Sequence, residues 1–209
     1  MNFGERYSMA KKRKNDLELK SLAWAVSRVF DPVIEIPVLI ATAMLYAMNS
    51  GWRFRYLVFL LVIDALLPAA YMLWGLAHKT ISDWDMTKKD ERKGLYVFTV
   101  LAHLFGVVYA YMLGKDELAE ILFVFWGLAV VFAVVTLFWK ISVHAGVNGA
   151  ALAFFNHFWG WDNYWWLLIV LLLVLWARVE IKKHTWSQVL IGATTAIVIV
   201  ELGLRLVGM

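Results

Sequence analysis

Three short stretches of this chain hold side chains that can act on an anion. The first, KISVH, closes a long uncharged run and brings Lys140, Ser142 and His144 together. It opens a predicted helix, where unpaired backbone N–H groups and the helix dipole favour negative charge. The second, ARVEIKKHTWSQ, carries Arg178, His184 and Gln188. His184 and Gln188 are four residues apart and so share a helix face. The Gln oxygen can accept from the imidazole Nδ1–H and leave Nε2 free as a base or nucleophile. The third, SDWDMTKKDERKG, packs Asp83, Asp85, Asp90 and Glu91 among Lys88, Lys89, Arg92 and Lys93. Its cations suit phosphate, and its carboxylates suit Mg²⁺. Each stretch alone has a plainer reading: a capped helix start with an anchoring Lys140, a cationic loop, and a solvated mixed-charge loop. Their value lies in falling together.

The elements that must position them are membrane helices. Of 209 residues, 62% are hydrophobic and only 17% charged. Several apolar runs reach the ~18 residues that can span a bilayer as helices. The expected fold is all-α, a polytopic bundle of about seven transmembrane helices (six or seven). The spans run over 32–49, 54–77, 95–113, 118–139, 142–159, 164–179 and 186–207. Residues 1–20 read as a basic cytosolic tail without apolar periodicity, and 21–31 as a short interfacial amphipathic helix. The N-terminus lacks the pattern of a cleavable signal peptide. With no cysteine, disulfides and thiolate metal sites are excluded.

Seven spans put the N-terminus, 78–94, 140–144 and 178–184 on one side, with 16 of the 20 Lys and Arg residues. Arg53, Arg55, Lys115 and Arg205 fall on the other. The positive-inside rule makes the first side cytoplasmic. The net charge of +4 then reflects headgroups and topology, and no nucleic-acid partner is expected. Within the spans, Glu35, Asp64, His103, Asn156, His157 and Glu201 are costly in lipid and call for partners or water. Asp64 and His103 are placed to pair between the second and third spans, whereas Glu35 and Glu201 lie near interfaces. The Trp-rich turn around Trp159, Trp161, Trp165 and Trp166 fits an interfacial aromatic belt.

The pattern KxSxH, then Arg, five residues, HxxxQ, resembles the integral-membrane type 2 phosphatidic acid phosphatase superfamily, which includes lipid phosphate phosphatases. That family's motifs are Lys, six residues, Arg-Pro; Pro-Ser-Gly-His; and Ser-Arg, five residues, His, three residues, Asp. Arg178 and His184 keep the third motif's spacing, with Ala177 in place of Ser and Gln188 in place of Asp. Ser142 and His144 match the second, with Ile141 for Pro and Val143 for Gly. Arg92 aligns with the first, but Lys93 follows it and Asp85 stands where Lys is expected. That stretch looks like the DxD…ER version of a divergent branch. Two predicted spans separate the first two motifs, where a loop is expected in many members.

The resemblance, over 79–192, implies a phosphatase acting on a lipid phosphate or isoprenoid (di)phosphate through a phosphohistidine. His184 would be the nucleophile and His144 the acid on the leaving oxygen. Arg178, Arg92, Ser142, Lys140 and the helix N-terminus would hold phosphoryl oxygens. Gln188, Asp83 and Asp85 would support them, and no metal or cofactor is called for. The domains implied are 1–31, a basic tail and interfacial segment, and 32–209, a transmembrane phosphatase-like domain. The partners implied are the lipid or polyprenyl phosphate and the surrounding lipids. Two rivals stand beside this reading. One is a Mg²⁺-dependent membrane prenyl- or phospho-transferase, and the other a non-catalytic protein on the same scaffold.

Overall fold

The structure is a computed structural model that describes residues 3–48 and 53–209, with side chains placed for 5, 11, 14–48 and 54–209. Among the described residues every regular element is helical. In chain order these are α1 (Phe3–Val29), α2 (Pro32–Ala47), α3 (Arg53–Leu61), a π-helical turn (Val62–Leu66), α4 (Leu67–Ala77), a short 3₁₀ turn (Lys89–Glu91), α5 (Arg92–Met112), α6 (Asp116–Phe138), α7 (Val143–Trp159), α8 (Trp161–Tyr164), α9 (Trp166–Glu180) and α10 (Trp186–Leu206).

Five segments are long and apolar enough to cross a membrane: Lys14–Ala47, Phe54–Ala77, Lys89–Met112, Asp116–Phe138 and Trp186–Leu206. Their outward residues are large and apolar, with Leu101, Phe105, Phe138 and Leu206 all exposed. Buried polar groups face inward. That inversion suits lipid as solvent. Helices α7 and α9, at 17 and 15 residues, reach about 26 and 23 Å at 1.5 Å per residue, short of a ~30 Å hydrocarbon core.

One expectation changes. Over Phe3–Val29 there is no break between a tail and a short amphipathic helix, because α1 runs unbroken through KKRKND. Lys, Arg, Glu, Leu and Ala are good helix formers, so helix persists there without an apolar stripe. Its last turn packs beside α9 and reaches the polar centre of the molecule.

The helix starts around that centre carry clear local signals. Asp31 caps α2, accepting from the Val33 amide at 3.1 Å, and Pro32 follows at the first helical position. Ser142 caps α7 through Ala145. Thr185 and Gln188 form a reciprocal capping box at the start of α10.

Packing of α7 depends on small residues. A Cβ on Gly149 would lie 2.7 Å from the Ala193 carbonyl oxygen, and one on Gly192 would lie 2.8 Å from that of Ser142. At Gly146 a Cβ would collide with the Phe132 ring. The backbones of α7 and α10 therefore meet with nothing between them, and α6 closes on the same helix.

Candidate active site

The loop between α4 and the 3₁₀ turn is folded around Asp83. Its Oδ1 accepts from the Asp85 amide at 3.0 Å and from the Thr87 hydroxyl at 2.9 Å, while Oδ2 accepts from the Thr87 amide at 3.1 Å. Hydrogen bonds from Thr87 and the nearby Lys183 outweigh partial burial and hold this carboxyl below its usual range. The turn delivers Asp85 to the interior.

Asp85 is the hub. Its Oδ1 accepts from Arg178 Nη1 at 2.9 Å, its Oδ2 from Arg28 Nη2 at 2.8 Å, and Lys183 Nζ lies 3.3 Å from Oδ2. Burial alone would raise its pKa, but these cations, Arg178 foremost, hold it far below the carboxylate range. Arg178 is 1% exposed and also donates to Ser27 Oγ at 2.7 Å. Its buried Nε–H has no acceptor among the described residues, an unusual state for such a group.

Arg92 sits differently. Its three nitrogens donate to the carbonyls of Met86, Ile141 and Asp85 at 2.8, 3.2 and 3.1 Å. Carbonyls fix the guanidinium without cancelling its charge. Lys140 likewise donates to the Lys183 carbonyl at 2.9 Å. Burial, then Arg92, Arg178 and Lys183, lower its pKa.

His184 is set by the end of α9. Lys182 takes a left-handed φ of 58°, and the His184 amide returns to the Arg178 carbonyl at 3.2 Å, placing Arg178 and His184 on one side of the turn. A non-glycine residue in that conformation costs about 1–2 kcal/mol, tolerated where surroundings fix it. His184 Nδ1 lies 3.1 Å from Gln188 Oε1, which also accepts from the Thr185 amide at 3.2 Å. The Thr185 amide can only donate, so the atom it meets is the amide oxygen, and Nδ1 facing that oxygen carries the proton while Nε2 keeps its lone pair. Burial first, then the charges of Arg92, Arg178 and Lys140, push the imidazole pKa down to about 2. His184 is therefore neutral at physiological pH, in a field that attracts anions.

His144, on the first turn of α7, is buried with Nε2 3.4 Å from Arg178 Nη1 and 3.5 Å from Asp31 Oδ2. His144, Arg178, His184, Arg92 and Asp85 all line one cavity of about 290 Å³. Beyond these residues its wall is mainly apolar, with Ile40, Ala43, Phe125 and Leu128 among its lining, and it also reaches Asp64 and His103.

The structure thus brings His144, Arg178, His184, Arg92 and Asp85 to one cavity, with Lys140 and Asp83 bound to the surrounding loops. Gln188 takes the expected place behind His184. Ser142 is fully buried and serves as the α7 cap. Asp90, paired with Lys93 at 2.7 Å, and Glu91, bound to Ser82 at 2.9 Å, turn outward. Sequence reasoning missed Ser27, Arg28 and Asp31; the Asp-Pro helix start and the Arg28/Asp31 spacing were the available signals. Glu35 accepts from Asn148 Nδ2 at 2.6 Å. Asp64 and His103 do pair, at 2.8 Å. Comparison of the chain with family models, curated proteins and solved structures finds no match.

Proposed function

We propose that the protein is a membrane-embedded phosphatase that hydrolyses a lipid phosphate or isoprenoid (di)phosphate through a phosphohistidine, and that it resembles a divergent type 2 phosphatidic acid phosphatase. The observation that carries this reading is His184: neutral, tautomer fixed by Gln188, Nε2 open, with Arg92, Arg178 and Lys140 around it. A nucleophile needs its lone pair, and the transferred phosphoryl group needs cations on its equatorial oxygens.

In the first half-reaction His184 Nε2 bonds to phosphorus, the bond from phosphorus to the leaving oxygen breaks, and His144 gives that oxygen a proton. In the second, a water oxygen bonds to phosphorus, the P–N bond breaks, and the water proton returns to His144. Arg92 and Arg178 hold the non-bridging oxygens, while the cavity's apolar wall takes the lipid chain. Since Asp85 already occupies Arg178 and Arg28, the bound phosphate shares Arg178 with it. The carboxylates of Asp83 and Asp85 face Thr87, Arg28, Arg178 and Lys183, which favours this reading over a transferase that spends them on Mg²⁺.

For topology, the reading takes α7 and α8–α9 as the fifth and sixth of seven spans, with the N-terminus and the site cytoplasmic. The absence of native cysteine allows a direct check. A single cysteine at Glu180 should be labelled only from the cytoplasmic side, and one at Asp116 only from the opposite side.

The test of activity is phosphate release by the purified protein in nanodiscs from short-chain phosphatidate and farnesyl diphosphate, with EDTA present. Release in EDTA supports the phosphatase. Release abolished by EDTA supports the transferase, and no release from either substrate supports the non-catalytic scaffold.

A further inference from the structure

One carboxylate at the site has no part in the scheme above. Asp31 lies at the corner between α1 and α2, and its two oxygens have separate duties. Oδ1 accepts from the Val33 amide and caps α2. Oδ2 faces Arg28 Nη1 at 2.9 Å, Trp84 Nε1 at 3.4 Å and His144 Nε2 at 3.5 Å.

The neighbouring turn repeats the arrangement. Glu35 follows Asp31 by four residues, Asn148 follows His144 by four, and the two side chains meet at 2.6 Å. Asn148 also donates to the His144 carbonyl at 2.9 Å. Residues four apart share a helix face, so these rungs set the register of α2 against α7 and turn Asp31 toward His144.

A proton count decides what passes between them. Arg178 Nη1 carries two hydrogens, and Ser27 Oγ and Asp85 Oδ1 take them at 2.7 and 2.9 Å. His144 Nε2, at 3.4 Å, could only share one of them, so a proton on that nitrogen leaves both shorter bonds intact and faces Asp31 at 3.5 Å. Its own proton has Asp31 Oδ2 as the facing acceptor.

We propose that Asp31 is the positioning residue of the general acid: its carboxylate keeps a proton on His144 Nε2, ready for the leaving oxygen. The proposal rests on the phosphatase reading. The charged groups around His144 are Asp31 from α2, Asp85 from the 78–88 loop and Arg178 from α9, with Arg28 from α1 beyond Asp31. The two carboxylates favour the imidazolium and the two guanidinium groups oppose it, so removing Asp31 leaves less of His144 holding the proton that the leaving oxygen needs. When the proton leaves with the alcohol, Asp31 stabilises its replacement, which water supplies in the second half-reaction.

An acid matters only where the leaving group needs one, and that sets the test. Asp31→Ser keeps a preferred N-cap residue but is too short to reach His144. Dodecyl phosphate expels an alkoxide that must be protonated, whereas 4-nitrophenyl phosphate expels a stable phenolate. The variant's loss on dodecyl phosphate should exceed its loss on 4-nitrophenyl phosphate by about 30-fold or more. Equal losses on both would mean a structural role and overturn the proposal. A second measurement is independent of turnover. In ¹⁵N-histidine spectra of the full chain in nanodiscs, the hydrogen-bonded Nε2–H signal of His144, assigned with His144→Gln, should vanish or shift in Asp31→Ser. An unchanged signal would also overturn the proposal. Failure of the phosphatase reading would look different: the wild type would release phosphate from neither substrate, and the spectra alone would decide the role of Asp31.

Discussion

Two polar clusters are buried in this protein, and they differ in what each leaves unmatched. His103 and Asp64 lie 2.8 Å apart between α5 and the π-helical turn, and the other ring nitrogen of His103 is 2.9 Å from the Leu122 carbonyl. Both ring nitrogens face oxygen, and what stays unmatched there among the described residues is acceptors, the two oxygens of Asp64. The cluster around Asp85 is equally buried but stays open. Arg92 and Lys140 are held by carbonyls, Arg178 Nε–H has no acceptor, and His184 Nε2 points at no protein donor among the described residues. The first arrangement joins helices, and the second awaits an anion.

The comparison can be broken most sharply at His184. His184→Ala should cut phosphate release by at least about 10³-fold while leaving the fold intact, whereas an equivalent change at His103 should alter stability far more than turnover. Arg178→Ala tests both roles at once: it removes one of the three cations on Asp85 and leaves Arg28 and Lys183, so a chemical-denaturation loss of about 1–3 kcal/mol should accompany lost activity. Asp64→Ala should cost about 1–3 kcal/mol by the same measurement, from leaving His103 unpaired, with turnover of the folded fraction little changed. Gln188→Glu refines the open cluster. Glu preserves the capping box and adds the carboxylate that stabilises positive charge on His184, so turnover should rise by about tenfold.

A further consequence is the pH dependence of stability. An unfolded imidazole titrates near 6.5, whereas folded His184 titrates at about 2. Between those values the unfolded chain binds the extra proton, so the contribution of His184 is complete above pH ~6.5 and is lost as pH falls toward the folded value. Asp85, with its carboxyl pKa lowered by Arg178 and the neighbouring cations, loses its contribution further into acid. The denaturation temperature should fall between about pH 7 and 4, and His184→Gln should flatten that slope.

The membrane helices were legible because an apolar run of sufficient length has few alternatives. The second spans 54–77 in sequence and structure alike. The His184–Gln188 contact was legible because four-residue spacing fixes a helical face. Ser27, Arg28 and Asp31 were not legible as site residues. Their partners Arg178, Asp85 and His144 are far away in sequence, and α1 is too polar to announce itself through apolar periodicity. The role of Asp85 was hidden too, since a carboxylate among lysines looks the same in sequence whether it is solvated or buried against Arg178.

The central claim is that phosphorus passes through His184. The direct measurement is a rapid alkaline quench during turnover of ³²P-labelled substrate, where phosphohistidine survives, followed by mass spectrometry of the modified peptide. The account predicts label on His184 that forms before free phosphate, decays with its release, and is absent from His184→Ala. Steady phosphate release with no labelled protein, or label on another residue that persists in His184→Ala, would contradict it.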